Sequence, residues 1–294
     1  MPLWKPNDLS DLNLWLTSVD FNGSVGEAVP WHDRSGGESF TANPSDVSDA
    51  ATPNIDPGAL NDHSGVVFTE GRDEWLVSTS TTAMDVGVGD FYCATLVSSP
   101  SSSSGIQAIL AHDKTGSSFE LRHTGNGGKF VWAVGGTVLN NDSNVTNDTV
   151  HFLSCEKHGT DPSDSNNGTL DHYRNGGSTI ESDTNFNTNI SDDEFRLGRR
   201  DVAPTSEASF NGSLYEVIVY HKEISATNQD AVEGFTMHKF AQEGTLPAAH
   251  PYRYGPPTAC HCVSENNLST NFLSSNITHA YELKENLNIR SERK

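Results

Sequence analysis

Positive charge is scarce in this chain. Its 294 residues hold 18 lysines and arginines against 39 aspartates and glutamates, a formal net charge of −21. So acidic a surface repels phosphate backbones and anionic headgroups, so nucleic acid is not an expected partner. Cysteine is rarer still, with four in all: Cys93, Cys155, Cys260 and Cys262. The first two stand in apolar, strand-like runs and read as reduced core thiols. No apolar run approaches the ~20 residues of a membrane-spanning helix, so membrane insertion is not expected. The start, Met1-Pro2-Leu3-Trp4-Lys5-Pro6, carries no basic-then-apolar signal pattern. Nor is there a repeat of the length that marks solenoids and propellers.

Apolar residues are also few, at 34%. Gly, Ser, Thr, Asn and Asp take their place, which favours short strands joined by turns over helices. Around a dozen such strands can be read. Among them are Leu14-Trp15-Leu16-Thr17, Val66-Val67-Phe68, Asp90–Val97, Ile106–His112, Ser118–His123 and Lys129–Val134. Val150–Glu156 and Leu170–Arg174 read as a hairpin, and Asn175-Gly176 after them is a tight-turn signal. Residues 41–64, rich in Pro, Asp, Asn and Ser, read as a long surface loop. Phe210-Asn211-Gly212-Ser213 opens a strand whose Leu214, Glu216, Ile218 and Tyr220 alternate with Tyr215, Val217 and Val219. A helix capped by Ser225 then runs to about Phe240, with Gly244 as its stop.

Several catalytic patterns are missing. There is no Gly-x-Ser-x-Gly elbow, no phosphate-binding glycine loop and no His-Glu-x-x-His. Glu181-Ser182-Asp183 comes nearest to a glycosidase carboxylate pair, but the closing acid is absent and the segment reads as a polar loop. Asp192-Asp193-Glu194 reads as a solvated turn, and Cys260-His261-Cys262 lacks partners for a zinc site. Asp161, Asp164 and Asn166 cluster oxygen ligands in one loop, a partial calcium pattern whose alternative is a hydrated acidic turn. Exposed aromatics beside Asn, Asp and Gly would mark a glycan site. Trp31, Trp75, Trp132 and Tyr173 are the candidates, each with a place in the core as its alternative.

The ordered set of motifs resembles the concanavalin A-like (laminin G-like) jelly rolls of phage and other viral structural proteins. It includes Leu14-Trp15-Leu16, Trp31-His32-Asp33-Arg34-Ser35-Gly36, Val67–Asp73, Phe91–Val97, Tyr173-Arg174-Asn175-Gly176, Leu197-Gly198-Arg199-Arg200, Phe210–Tyr220 and the helix ending His238-Lys239-Phe240. The resemblance implies an all-β protein: a two-sheet antiparallel jelly-roll sandwich with one short C-terminal helix and an extended tail. It would comprise a domain over residues 1–257 and a docking arm over 258–294. It further implies a non-enzymatic role on the virion surface, as a capsid decoration or fibre protein. The expected partners are other virion chains held through the tail, host-surface glycans, and further copies in a homo-oligomer. It adds Asp73 and Asp90 as calcium candidates at a domain rim. The alternatives are a calcium-dependent lectin and a glycoside hydrolase of the glucanase branch. Residues 258–294 lose the strand rhythm and end in a charged segment, Tyr281–Lys294. They read as an arm that orders on a partner chain, with a floppy terminus as the alternative. Their four acids (Glu265, Glu282, Glu285, Glu292) match four bases (Lys284, Arg290, Arg293, Lys294), so the whole acidic excess lies before them.

Overall fold

The computed structural model describes residues 3–21, 24, 26–37, 39–42, 52–69, 72, 74–79, 85–98, 105–112, 119–124, 128–140, 142, 145–159, 168–184, 190, 194–200 and 208–258. The proposed arm, from 259 on, and Cys260-His261-Cys262 lie outside them. In chain order the strands are β1 (Leu12–Thr17), β2 (Gly26–Glu27), β3 (Trp31–His32), β4 (Ser39–Thr41), β5 (Asn54–Leu60) and β6 (His63–Phe68). Then come β7 (Leu76–Ser78), β8 (Phe91–Ser98), β9 (Ile106–His112), β10 (Phe119–Thr124), β11 (Lys129–Val134) and β12 (Thr137–Leu139). The last are β13 (Val150–His158), β14 (Thr169–Arg174), β15 (Glu181–Thr184), β16 (Phe195–Leu197), β17 (Ala208–Ser209) and β18 (Gly212–Tyr220), followed by the helix α1 (Ala226–Lys239).

The strands form two sheets. The first runs β15-β14-β13-β8-β18-β6-β5-β2, with β1 also on β18. The second runs β12-β11-β10-β9-β16-β7-β4-β3, with β17 on β9. Every pairing is antiparallel except β17 with β9. Strands distant in sequence lie side by side, β8 with β18 and β9 with β16. The described residues thus form a two-sheet, almost wholly antiparallel jelly-roll sandwich, with one α-helix among them.

Alternation accounts for the main core. Phe91, Cys93 and Val97 of β8, Leu153 and Cys155 of β13, and Phe119 and Leu121 of β10 all point between the sheets. Strict alternation fails in β18, where a bulge falls between Leu214 and Glu216. Leu214 therefore joins Val217 and Val219 in the core, while Tyr215 joins Ile218 and Tyr220 on the opposite face. That face carries a second core. Trp4, Trp15, Tyr92, Leu96 and Phe152 meet Val232, Met237 and Phe240 there, with Leu246 and Tyr252 from beyond the helix. Trp4 donates its backbone N–H to Pro257 (3.1 Å), so the two ends of this region are stitched together under the helix.

Three expectations need correction. Residues 54–60, read as part of the 41–64 loop, are β5, and β6 begins within that loop at His63, ahead of the expected strand at Val66-Val67-Phe68. A register irregularity between Asp56 and Leu60 takes Pro57 and Gly58 off the ladder, which disguises the strand. Glu181–Thr184, also read as loop, is the edge strand β15 paired to β14. The helix spans the expected stretch, from Ser225 at its N-cap to Phe240 at its C-cap, but the left-handed residue that ends it is Ala241 (φ 53°), and Gly244 sits in a separate turn of 3-10 helix.

Glu216 ties the outer layer to the sheet. Almost fully buried, it accepts from the Trp15 indole N–H (2.8 Å) and the Lys239 ammonium (2.6 Å). Removing one member of such a pair strands the other charge, whereas removing both does not. Glu216→Ala should therefore cost about 3–5 kcal/mol. Glu216→Gln with Lys239→Met should cost clearly less than Glu216→Ala, as read by urea unfolding.

His123, His151 and His172 stack against Phe130 and Trp132 inside the sandwich. Burial pulls each imidazole down to about 4, with the Arg174 charge adding to the effect on His151 and His172. The unfolded chain protonates near 6.5, so it takes up protons first. Stability from these groups is lost as pH falls from about 6.5 to 4 and is level below. His172→Phe should recover about 2–3 kcal/mol of the loss between pH 7 and 4.5, measured by thermal or urea unfolding at both pH values.

Candidate functional site

β13 and β14 pair with Glu156 opposite Asp171 and Ser154 opposite Tyr173. Alternation sends Cys155 and Leu170 into the core and turns Glu156, His158, Asp171 and Tyr173 outward. There they meet the segment Glu223-Ile224-Ser225 and the first turns of α1, with the turn at Gly176-Gly177 beside them. Between these walls lies a cleft of about 360 Å3. Five carboxylates line it (Glu156, Asp171, Glu223, Asp230 and Glu233), together with His158, Tyr173 and Gln229. No lysine or arginine is among its described lining residues.

The side chains are tightly held. Glu156 Oε1 accepts from the Ile224 N–H (3.2 Å) and Oε2 from the Gln229 amide (2.5 Å). Burial pushes the Glu156 carboxyl up to about 7, against the pull of those two donors. Asp171 Oδ2 accepts from His158 Nε2 (2.9 Å) and the Tyr173 hydroxyl (3.2 Å). Burial pulls the His158 imidazole down, but the Asp171 bond and the carboxylates around it outweigh this, and the net shift is upward. Burial raises Asp230, Glu233 and the Tyr173 hydroxyl.

Asp230 and Glu233 stand one helical turn apart, and their carboxylates lie within 4.8 Å of the His250 ring. His250 Nδ1 accepts from the Tyr252 N–H (3.2 Å), which puts the ring proton on Nε2, facing Glu233 Oε2 (3.3 Å). A metal on Nε2 would move that proton to Nδ1, against the Tyr252 N–H. The trio fits a hydrogen-bonded clasp better than a metal cage. Gly176 completes it: at φ 66°, a Cβ there would sit 2.7 Å from the His250 ring. The preceding turn residue, Asn175, accepts from the Phe152 N–H (2.8 Å) and so pins the turn to β13.

The sequence candidates fare unequally. Tyr173 lines the cleft. Trp31 and Trp132 are sealed in the main core. Trp75 is also buried, with the Arg196 guanidinium 5.3 Å from its ring centre. None of the three indoles offers a ring face to a surface glycan, because apolar burial is the stronger claim on a Trp in a sandwich. Of the calcium candidates, Asp73, Asp161, Asp164 and Asn166 lie outside the described residues, as do Asp192 and Asp193. Asp90 is half-buried near the Lys157 ammonium, a setting already supplied with a cation. Sequence reasoning missed Glu156, Asp171, Glu223 and Asp230. The available signal was polar residues at period two in a hairpin that otherwise reads as buried.

No family model matches the chain, and no curated protein matches its sequence. Solved structures do match its fold. The binding domain of botulinum neurotoxin serotype D aligns with a TM-score of 0.52 at 11% identity, over 79% of this chain and 52% of the other. The serotype G binding domain gives 0.51 at 12%, over 76% and 50%. A type C neurotoxin structure, whose cell entry is described as dependent on two ganglioside molecules, gives 0.50 at 12%, over 77% and 51%. This chain thus spans about half the length of each. At such identities the likeness concerns the fold.

The Glu156 environment is directly testable. The 13C carboxyl resonance of Glu156 should titrate near 7 rather than near 4.5, and Gln229→Leu should move it higher by removing a donor to the charged form. A midpoint near 4.5 in the intact protein would show that burial is not dominant.

Proposed function

We propose that this chain is a non-catalytic, carbohydrate-binding jelly-roll module displayed on a virion surface, with residues 258–294 as the arm that docks it on a neighbouring virion chain. The cleft carries the sugar-binding part of this reading. Sugar hydroxyls need fixed acceptors and an apolar ring to lie against. The cleft supplies the carboxylates of Asp171, Glu223 and Asp230, with Asp171 held by His158, beside the half-buried ring of Tyr173. One structure of similar fold is described as depending on gangliosides, which makes glycans the first class to test. The virion setting rests on the sequence resemblance, and homo-oligomerisation belongs to that setting.

A non-catalytic role is the reading that Glu156 favours. The carboxyl is 4% exposed and both its oxygens already accept hydrogen bonds from fixed donors. A general acid must instead present its proton to the leaving group.

Two experiments test the proposal. On a glycan array, the full chain should bind a defined glycan set, and Tyr173→Ala should weaken that binding at least tenfold without unfolding the protein. In co-sedimentation with purified virions, the full chain should pellet and a chain ending at Thr258 should stay in the supernatant. Array binding without co-sedimentation would leave a lectin and remove the virion role.

A further inference from the structure

The charge around the cleft goes further than the general reading. Glu156, Asp171, Glu223, Asp230 and Glu233 converge on one recess, and the described lining offers no lysine or arginine to balance them. The protein's donors to these carboxylates include Ile224 and Gln229 on Glu156, His158 and Tyr173 on Asp171, and the Gly176 N–H and His250 on Glu233. Asp230 is half-buried with the same clasp, and Glu223 is exposed at the rim. An anionic sugar placed here would meet the carboxylates of Asp171, Glu223 and Asp230, with His158 as the cation-forming side chain in the described lining. A bare divalent ion would need several of these oxygens stripped of their present donors and drawn to within about 2.0–2.6 Å of one point. A protonated amine needs neither, since it takes one lone pair from each of two or three carboxylates at ordinary hydrogen-bond distance.

We propose that the cleft selects amino sugars with a free, protonated amine, the ammonium seated among Asp230, Glu223 and Asp171 and the sugar ring against Tyr173. This rests on the cleft being the sugar site. The aromatic ring beside the carboxylates adds attraction for the cation and a flat surface for the ring's C–H face. A recess of about 360 Å3, open to solvent on one side, suits a small ligand rather than a broad surface.

The test is calorimetric titration of the full chain at pH 6 and low salt with four probes: a β-1,4-linked glucosamine tetramer, its fully N-acetylated form, the corresponding glucose tetramer, and spermidine. The glucosamine tetramer should bind at least tenfold tighter than the acetylated and glucose forms, and tighter than spermidine. Asp230→Asn and Glu223→Gln together should cut that preference below threefold, while circular dichroism shows an unchanged fold. Equal binding of the three tetramers would overturn the amine preference and leave a lectin. Tightest binding of spermidine would retain a cation site and remove the sugar. Absence of binding by all four, or a preference that the two substitutions leave intact, would overturn the assignment of this cleft.

Discussion

A sheet that is apolar on both faces has to be covered twice, and the architecture follows from that. In β8, Phe91, Cys93 and Val97 look into the sandwich while Tyr92, Ala94 and Leu96 look out, and both sets are buried. A fully buried aromatic or aliphatic side chain contributes roughly 1.5–3 kcal/mol, so the outer set cannot be left in water without a large loss. The chain covers it with α1, with Trp4 from one end and with Leu246 and Tyr252 from the other. The Phe235 ring meets Trp4 and Trp15 edge-on at 5.9 Å, and Glu216 holds Trp15 and Lys239 from below. The helix and the segments that carry Trp4, Leu246 and Tyr252 are therefore structural parts of the sandwich.

The cleft lies where that cover changes character. Over β8, β18 and β1 the outer face is apolar and the helix lies against it. On β13 and β14 the same face turns polar, at Glu156, His158, Asp171 and Tyr173. The first turns of α1 and the segment before it stand over these side chains, and the gap between them is the recess. The bonds from Ile224 and Gln229 to Glu156 fix its width, joining helix and sheet with polar groups where apolar contact gives out.

Much of the fold is legible in the sequence because period-two alternation and glycine turns act locally. β8, β9, β11 and the β13–β14 hairpin can all be read that way. What escapes depends on longer-range facts. The bulge at Tyr215 reverses one face of β18 for the sake of the second core, and nothing within β18 announces it. β5 and β15 are weakly patterned strands that owe their state to partners already in place. The site is harder again. Glu156 and Gln229 are 73 residues apart in sequence and meet only because the helix returns over the hairpin. Tyr173 was readable as an exposed aromatic; the three tryptophans beside it in that reading obey the stronger demand of core burial.

Burial acts on titratable groups in three contrasting ways among the described residues. The Glu216–Lys239 pair is buried, each charge answering the other through Glu216 Oε1, while Oε2 has no hydrogen-bond donor. The histidines against Phe130 and Trp132 are sealed and neutral, and burial holds them so. In the cleft, acids raised by burial stand together beside an opening to solvent, with fewer cations than carboxylates. A sealed conflict can be explained by the packing around it. An open one has no packing to account for it, and a fold that gains nothing locally from such an arrangement is best explained by a ligand that answers it.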